Sequence, residues 1–333
     1  MTPVDNRAEE PTEYFGAFAL HGCAFLQYRK QGASGWESGM RRRSEDMPGP
    51  KSAHPARSEE WMSLADKAGR LACGAAEYFW FYVAALYFAI GGVLYTVVSA
   101  ILYVVLPRRV GIPLGRHVIG MLFRSFLGLL RTTGLVRLDL TALEALRHER
   151  GLIIAPNHPC LLDAVFVIAY VPSVSCIMKA EIWDNVVLGG GARLAGYIRN
   201  DAPLNMVRLA AQELRDGHPL LVFPEGTRTR HRPVNRFKGG FALMAKRAGA
   251  PIQTVFIETE SAFLGKGWPL LRKPVFPLVY RARLGRRLSV EGNAKAFVHG
   301  LEEYYREDLA AQELGQASDR SRGAASPRVD PVA

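Results

Sequence analysis

The chain has 333 residues, 49% of them hydrophobic and 22% charged, with a net charge of +11. That length does not limit core size, and the positive balance fits anionic partners of several kinds: nucleic acid, an anionic membrane surface or phosphorylated substrates. The four cysteines, Cys23, Cys73, Cys160 and Cys176, form no CxxC pair and have no His partners at zinc spacing, which argues against a structural zinc site or a disulfide framework and suits a reducing compartment.

Residues 1 to about 61 are polar and rich in Arg, Glu, Ser, Gly and Pro, apart from an apolar patch at 15–26, and are expected to be disordered. No signal-peptide pattern starts at Met1. From Tyr78 to Leu106 run 29 residues without a charge. As one helix they would extend about 43 Å, against roughly 30 Å of bilayer hydrocarbon. The stretch is therefore long enough to span with tilt, or to bend at Gly91-Gly92 into a membrane-dipping hairpin. Aromatic residues crowd its start (Tyr78 to Tyr82), as at a headgroup belt, and Arg108-Arg109 come directly after its end. By the positive-inside bias these arginines place the C-terminal side of the stretch on the cytoplasmic face of the inner membrane. Residues 62–135 are thus expected to be membrane-associated helices.

Pro113 to Thr133 continues with helical periodicity, and Arg116, Arg124 and Arg131 fall on one face. Two arrangements suit such a helix. It can lie in the membrane interface with its arginines toward lipid phosphates, or pack on the next domain with a solvated arginine face.

From Val136 short apolar runs alternate with helical ones. Strands are expected at 136–140, 152–155, 174–178, 220–223, 252–257 and 275–283. Helices are expected at 141–148, 161–170, 203–215, 239–247 and 294–309. This alternation predicts an α/β domain over 136–311 with a largely buried sheet. The last residues, 312–333, read as a disordered tail. No recognisable nucleic-acid-binding module is present, so nucleic acid is not an expected partner.

Two segments carry chemistry. Asn157-His158-Pro159-Cys160-Leu161-Leu162-Asp163 follows the apolar strand 152–155 and opens a helix. A titratable His five residues before a carboxylate, at a strand-to-helix junction, suits a general base with an orienting partner; by itself it also suits an incidental loop His near a capping Asp. Phe223-Pro224-Glu225-Gly226-Thr227-Arg228 follows the strand 220–223, and ligands in α/β sheets bind beyond the carboxyl ends of strands. There Glu225 suits a polyol hydroxyl and Arg228 a phosphate, while Gly226 lets backbone N–H groups approach an anion.

The two segments, in this order and about sixty residues apart, resemble the glycerolipid acyltransferase family, which includes 1-acylglycerol-3-phosphate (lysophosphatidic acid) acyltransferases. The resemblance covers about Val136 to Arg283. It implies an α/β fold with a mixed sheet flanked by helices and an N-terminal membrane-inserted helix or helical hairpin. It implies His158 as the base that deprotonates the acceptor hydroxyl and Asp163 as the residue that orients it. Glu225, Gly226, Thr227 and Arg228 would line the glycerol-phosphate site. The acyl donor would be acyl-CoA or acyl carrier protein, with a membrane lysolipid as acceptor and no cofactor or metal. The sequence departs from the family pattern at two places. Cys160 stands where the family usually has Ser, read here as a small filler or a reactive thiol. Gly196 to Asp201 stands where the family usually ends a motif in Ile-Asp-Arg, which leaves Arg199 as a candidate phosphate ligand. These departures, with the run Lys179 to Trp183, resemble a bacterial branch linked to other acylated products, aryl polyene lipids among them. A different acceptor, such as an aryl polyene or lyso-ornithine lipid, and a non-catalytic membrane-bound binding protein are the alternative readings.

Overall fold

A computed structural model describes residues 55–185 and 189–324 of the chain. Helix α1 (Pro55–Val105) runs without a break through Gly91 and Gly92, so the bend considered there does not occur. The chain turns instead at Leu106-Pro107, where proline fixes an extended backbone and ends one helix as the next begins. Helix α2 (Arg108–Thr132) then packs back against α1. The expected extension 1–61 falls outside the described residues up to 54, and its last residues belong to α1.

Beyond α2 the chain alternates between β and α. The strands are β1 (Val136–Asp139), β2 (Ile153–Pro156), β3 (Ser175–Lys179), β4 (Ile198–Asn200), β5 (Leu220–Leu221), β6 (Ile252–Glu258) and β7 (Leu278–Leu288). The helices between and after them are α3 (Thr141–Glu144), α4 (Leu162–Tyr170), α5 (Ala180–Trp183), α6 (Gly189–Leu194), α7 (Pro203–Arg215), α8 (Gly240–Ala248) and α9 (Ala294–Ala324). The strands form one mixed sheet in the order β1-β7-β6-β2-β5-β3-β4, parallel throughout except for the β6–β7 pair. The segment 152–155 is apolar at every position because both of its faces are covered. Leu152 and Ile154 enter the core shared with α2 and α4, while Ile153 and Ala155 enter the core under α7, α8 and α9.

Helices α5 and α6 and strand β4 form where the sequence suggests none, and α9 continues to Ala324, past the boundary expected at 311. Residues 325–333 of the expected tail lie outside the described residues. Cys160 and Cys176 are free thiols, whereas Cys73 is disulfide-bonded, against the expectation of reduced cysteines.

The run Gly189-Gly190-Gly191 reads as a loop but forms a helix because α1 lies almost on its backbone. A Cβ on Gly190 would meet the Thr96 carbonyl oxygen at 2.5 Å, and one on Gly191 the Tyr95 ring at 2.2 Å. Tyr95 closes the junction by donating its hydroxyl to the carbonyls of Gly115 (2.9 Å) and Gly191 (3.3 Å). Gly115 allows the same approach from α2, since a Cβ there would lie 2.9 Å from the Ala195 backbone nitrogen.

The arginines of α2 do not form the expected lipid-facing or solvated stripe. Arg116 is buried and donates to the carbonyls of Ala195 (2.8 Å) and Ser173 (3.2 Å) and to the Glu213 carboxylate (2.7 Å). Arg124 donates to the Ala169 carbonyl at 3.0 Å, near the end of α4, where open helix carbonyls attract a cation. These two guanidiniums serve as connectors between α2 and the sheet domain. Of the three, only Arg131 is exposed without such a bond.

The close packing makes a prediction with an internal control. Gly115→Ala should lower thermal stability by about 1–3 kcal/mol through overpacking against backbone. Gly128→Ala, on the same helix with open space around it, should be neutral or stabilising by up to about 1 kcal/mol. Thermal unfolding of the two detergent-solubilised variants should shift in opposite directions or differ clearly in size.

Candidate active site

The segment from Asn157 to Asp163 leaves the carboxyl end of β2 in the middle of the sheet. It is held at both ends. The Asn157 side chain donates to the Ile257 carbonyl (2.9 Å) and accepts from the Ile257 N–H (2.7 Å), so it extends the β2–β6 pairing by one residue. Asp163 lies in the first turn of α4, fully buried.

His158 Nδ1 donates to Asp163 Oδ2 across 2.8 Å. Cys160 supplies two further donors to the same carboxylate, its N–H to Oδ2 (2.8 Å) and its thiol to Oδ1 (3.0 Å). Burial pushes the Asp163 carboxyl above the usual carboxylate range, while His158 and Cys160 pull it back. Burial, and then the nearby Asp163, hold the Cys160 thiol well above its ordinary value. A thiol so disposed stays protonated and donates. It is neither the filler nor the reactive thiol that the sequence left open.

The imidazole stacks on the Phe223 ring, with centroids 3.7 Å apart and planes 17° from parallel. Its side chain keeps 14% exposure, enough to meet a substrate while its partner carboxylate is sealed. Imidazole Nδ1 is committed to Asp163, which fixes the tautomer and leaves Nε2 to accept a proton.

Glu225 has a different place from the one expected. It is 1% exposed, and its two oxygens accept from the His158 N–H (2.9 Å), the Thr229 hydroxyl (2.8 and 2.9 Å) and the Asn235 N–H (2.8 Å). Burial raises its carboxyl above the ordinary range against the pull of those donors. With both oxygens engaged inside the protein, Glu225 straps the two loops together and offers no edge to a polyol. Thr229 adds a second tie, donating its N–H to the His158 carbonyl at 2.7 Å.

The rest of the second segment faces outward. Gly226 is exposed with φ +66°, a left-handed turn that a side chain would strain, and a Cβ there would also press on Lys238 Cγ at 3.1 Å. Thr227 receives a hydrogen bond from Lys266 Nζ at 3.1 Å. Arg228 donates Nη1 to the carbonyls of Leu264 (2.8 Å) and Gly265 (3.0 Å), so it also supports the loop that carries Lys266. Partial desolvation, and then the nearness of Arg230, Lys179 and Arg228, press the Lys266 ammonium below the usual lysine value. Arg228, Arg230 and Lys179 thus lie near Lys266. A cavity of about 1050 Å³ opens next to them, lined by Asn157, Pro159, Thr229, Arg230, Lys266 and Trp268 among others.

Arg199 pairs its backbone with Met178, next to Lys179. It lies on the edge strand β4 and pairs with the carboxylates of Asp184 and Asp201. The expectation of a phosphate ligand fails there because two local anions already neutralise the guanidinium. Sequence reasoning missed Phe223, Thr229, Asn235 and Lys266 as parts of the site. Thr229 directly follows the second segment and was within reach of the motif. Asn235 and Lys266 arrive from loops with no pattern of their own.

Residues 137–258 match the family model described as Acyltransferase. Over that stretch the chain is similar to the Acyltransferase family. Two curated relatives, both named 1-acyl-sn-glycerol-3-phosphate acyltransferase, agree. The protein of Helicobacter pylori is 30% identical over 112 residues, covering 32% of this chain and 47% of that one. The protein of Pseudomonas aeruginosa is 25% identical over 168 residues, covering 49% and 63%. The matches thus span about half to three fifths of these relatives' lengths. The crystal structure of the 1-acyl-sn-glycerophosphate acyltransferase PlsC from Thermotoga maritima shares the fold, with a TM-score of 0.55 at 20% identity over 71% of this chain and 95% of that one.

The pair of hydrogen bonds from Cys160 to Asp163 makes a sharp prediction. Cys160→Ala should lower turnover about tenfold, since a hydrogen bond to a charged group is worth about 1.5–3 kcal/mol, whereas Cys160→Ser, which keeps a donor, should stay near the parent. Steady-state turnover of the three proteins with one acyl thioester and one acceptor would read this out.

Proposed function

We propose that the protein transfers a fatty acyl group from a thioester, acyl-CoA or acyl carrier protein, to the free hydroxyl of a lysophospholipid of the 1-acylglycerol-3-phosphate type, at the cytoplasmic face of the membrane. The observation that carries the proposal is the buried, three-donor carboxylate of Asp163 holding a partly exposed His158, whose loop is tied by Glu225 and Thr229 to the segment carrying Arg228. The proposed step is direct. His158 Nε2 takes the hydroxyl proton as the acceptor oxygen attacks the thioester carbonyl. The new C–O bond forms, the C–S bond breaks, and the departing thiolate takes the proton from the imidazolium. Asp163 stabilises that imidazolium, and no nucleophile of the protein enters the reaction. Arg228, Arg230, Lys179 and Lys266 would hold the acceptor's phosphate, and the neighbouring cavity has room for the rest of a substrate.

Support for the membrane setting comes from α1. Among the described residues it is the one helix long and apolar enough to cross a bilayer, and only 11% of its apolar window is buried in the protein. A second reading, the same chemistry on a different hydroxyl acceptor such as an aryl polyene or lyso-ornithine lipid, draws on the pairing of Arg199 with Asp184 and Asp201, which removes one candidate phosphate ligand.

Two measurements test these statements. Turnover by His158→Ala should fall by at least about a hundredfold with the fold retained; parent-like turnover would remove the base from the mechanism. Lys266→Met should raise the Michaelis constant about fivefold for a phosphorylated acceptor and leave that for an uncharged acceptor nearly unchanged, because only the former loses a Coulombic partner. If both constants stay flat, the acceptor site lies elsewhere, and mass spectrometry of products from a panel of lysolipids would then favour the second reading.

A further inference from the structure

The loop between β6 and β7, residues 259–277, has a tip that presents bulky aliphatic residues to the outside. Leu270, Leu271 and Val275 are 66%, 69% and 88% exposed within six positions. Single exposed aliphatics are common on protein surfaces, but three of this size on one tip form a patch that calls for a partner. The tip is also well built. Arg272 donates its N–H to the Pro269 carbonyl at 3.0 Å, and Trp268 Nε1 donates to the Arg272 carbonyl at 3.1 Å. The Arg272 guanidinium lies 5.2 Å from the Trp268 ring centre, and the Trp268 ring meets Phe263 edge-on.

What the tip rests on identifies its partner. Its base packs on the aromatic start of the apolar stretch of α1. Phe81 sits between Phe263 and Phe276, and Lys273 pairs with Glu77 at 2.6 Å while lying over the Tyr78 ring. On α1 itself Tyr78, Phe79 and Tyr82 remain exposed next to this contact. The apolar tip is therefore continuous with the aromatic end of the apolar stretch of α1. It carries Trp268, Arg272 and Lys273 and no acidic residue between 266 and 275, the composition of an element that sits at a headgroup boundary.

We propose that the 268–275 tip inserts into the lipid bilayer as a second membrane contact, with Leu270, Leu271 and Val275 below the headgroups and Arg272 among lipid phosphates. This rests on the reading of α1 as a membrane helix. The same loop reaches the active site. The Leu264 carbonyl accepts from both the Leu161 N–H (3.1 Å) and Arg228, and Lys266 bonds Thr227. Insertion of the tip would thus set the position of the cation cluster and of the helix-opening turn at Leu161 relative to the lipid surface.

The test uses the full chain reconstituted in phosphatidylethanolamine–phosphatidylglycerol vesicles. A fluorophore is placed on Val275→Cys, on Leu94→Cys in α1 and on Glu291→Cys in the exposed β7–α9 connection, each read against the unsubstituted chain carried through the same labelling. Lipid-borne spin labels should quench positions 275 and 94, and aqueous iodide should quench only 291. Should 275 behave like 291 while 94 is quenched from lipid, the tip lies in water and the proposal falls, with the membrane reading intact. Shielding of 275 from both quenchers would mean a protein partner or a second copy and also overturns it. If 94 itself is not quenched from lipid, the membrane reading fails first. Independently, Leu270→Ser with Leu271→Ser should lower kcat/KM by about a hundredfold or more for an acceptor presented in vesicles, from the transfer energy of two leucines, with little change for a water-soluble short-chain acceptor. Equal losses on both would mark a folding defect and count against the tip as a lipid contact.

Discussion

The geometry of the site depends on two carboxylates that never meet solvent. Asp163 and Glu225 grip the same short segment from opposite ends, one through the imidazole and the residue two further on, the other through the backbone N–H of His158 itself. Each is buried enough that its charge costs several kcal/mol unless donors surround it, and each has donors that offset part of that cost. The donors come from the loops that follow β2 and β5, so the charges are satisfied only when the centre of the sheet is assembled. A catalytic His on a loop would ordinarily be mobile. Here folding and preorganisation are the same event, because the loop cannot relax without exposing a carboxylate to unpaired burial.

The sequence made the dyad legible because its members lie on one continuous segment, where spacing is geometry. His158 and Asp163 are five residues apart across a strand-to-helix turn, and the hydrogen bond follows almost from that alone. Glu225 was legible as a site residue but not in its role. Nothing in Glu-Gly-Thr-Arg says which way a side chain points, and the answer depends on Asn235 and Thr229 arriving with their donors. For Arg199 one anion, Asp201, stood two residues away in the same segment, while the other, Asp184, comes from a separate stretch of chain. Cys160 shows the converse. It reads as a departure from the family pattern, yet hydroxyl and thiol share the one property the position uses, a donor at short reach.

The fold was legible where burial imposes a period, and lost where packing overrides propensity. Helix α7 was readable from the proline at its start and the glycine beyond its end, and β2 from its unbroken apolar run. Helix α6 was not, since three consecutive glycines disfavour helix by about 1 kcal/mol each. They fold as one because a bulkier surface would collide with Tyr95 and Thr96, so the contact selects the residues rather than the reverse. The arginine stripe on α2 was visible as a stripe, but periodicity cannot say whether water, lipid or protein carbonyls lie opposite it. Buried carbonyls at the ends of neighbouring elements took two of the three.

The unbroken course of α1 has a consequence for reach. A helix hinged at Gly91-Gly92 would let the catalytic domain swivel on its tether. A rigid rod whose apolar half is seated on the backbone of α6 and on Gly115 admits no such joint. On the membrane reading proposed above, such a rod would carry His158 at one fixed height over the lipid, and the depth of an acceptor hydroxyl would then matter alongside its shape.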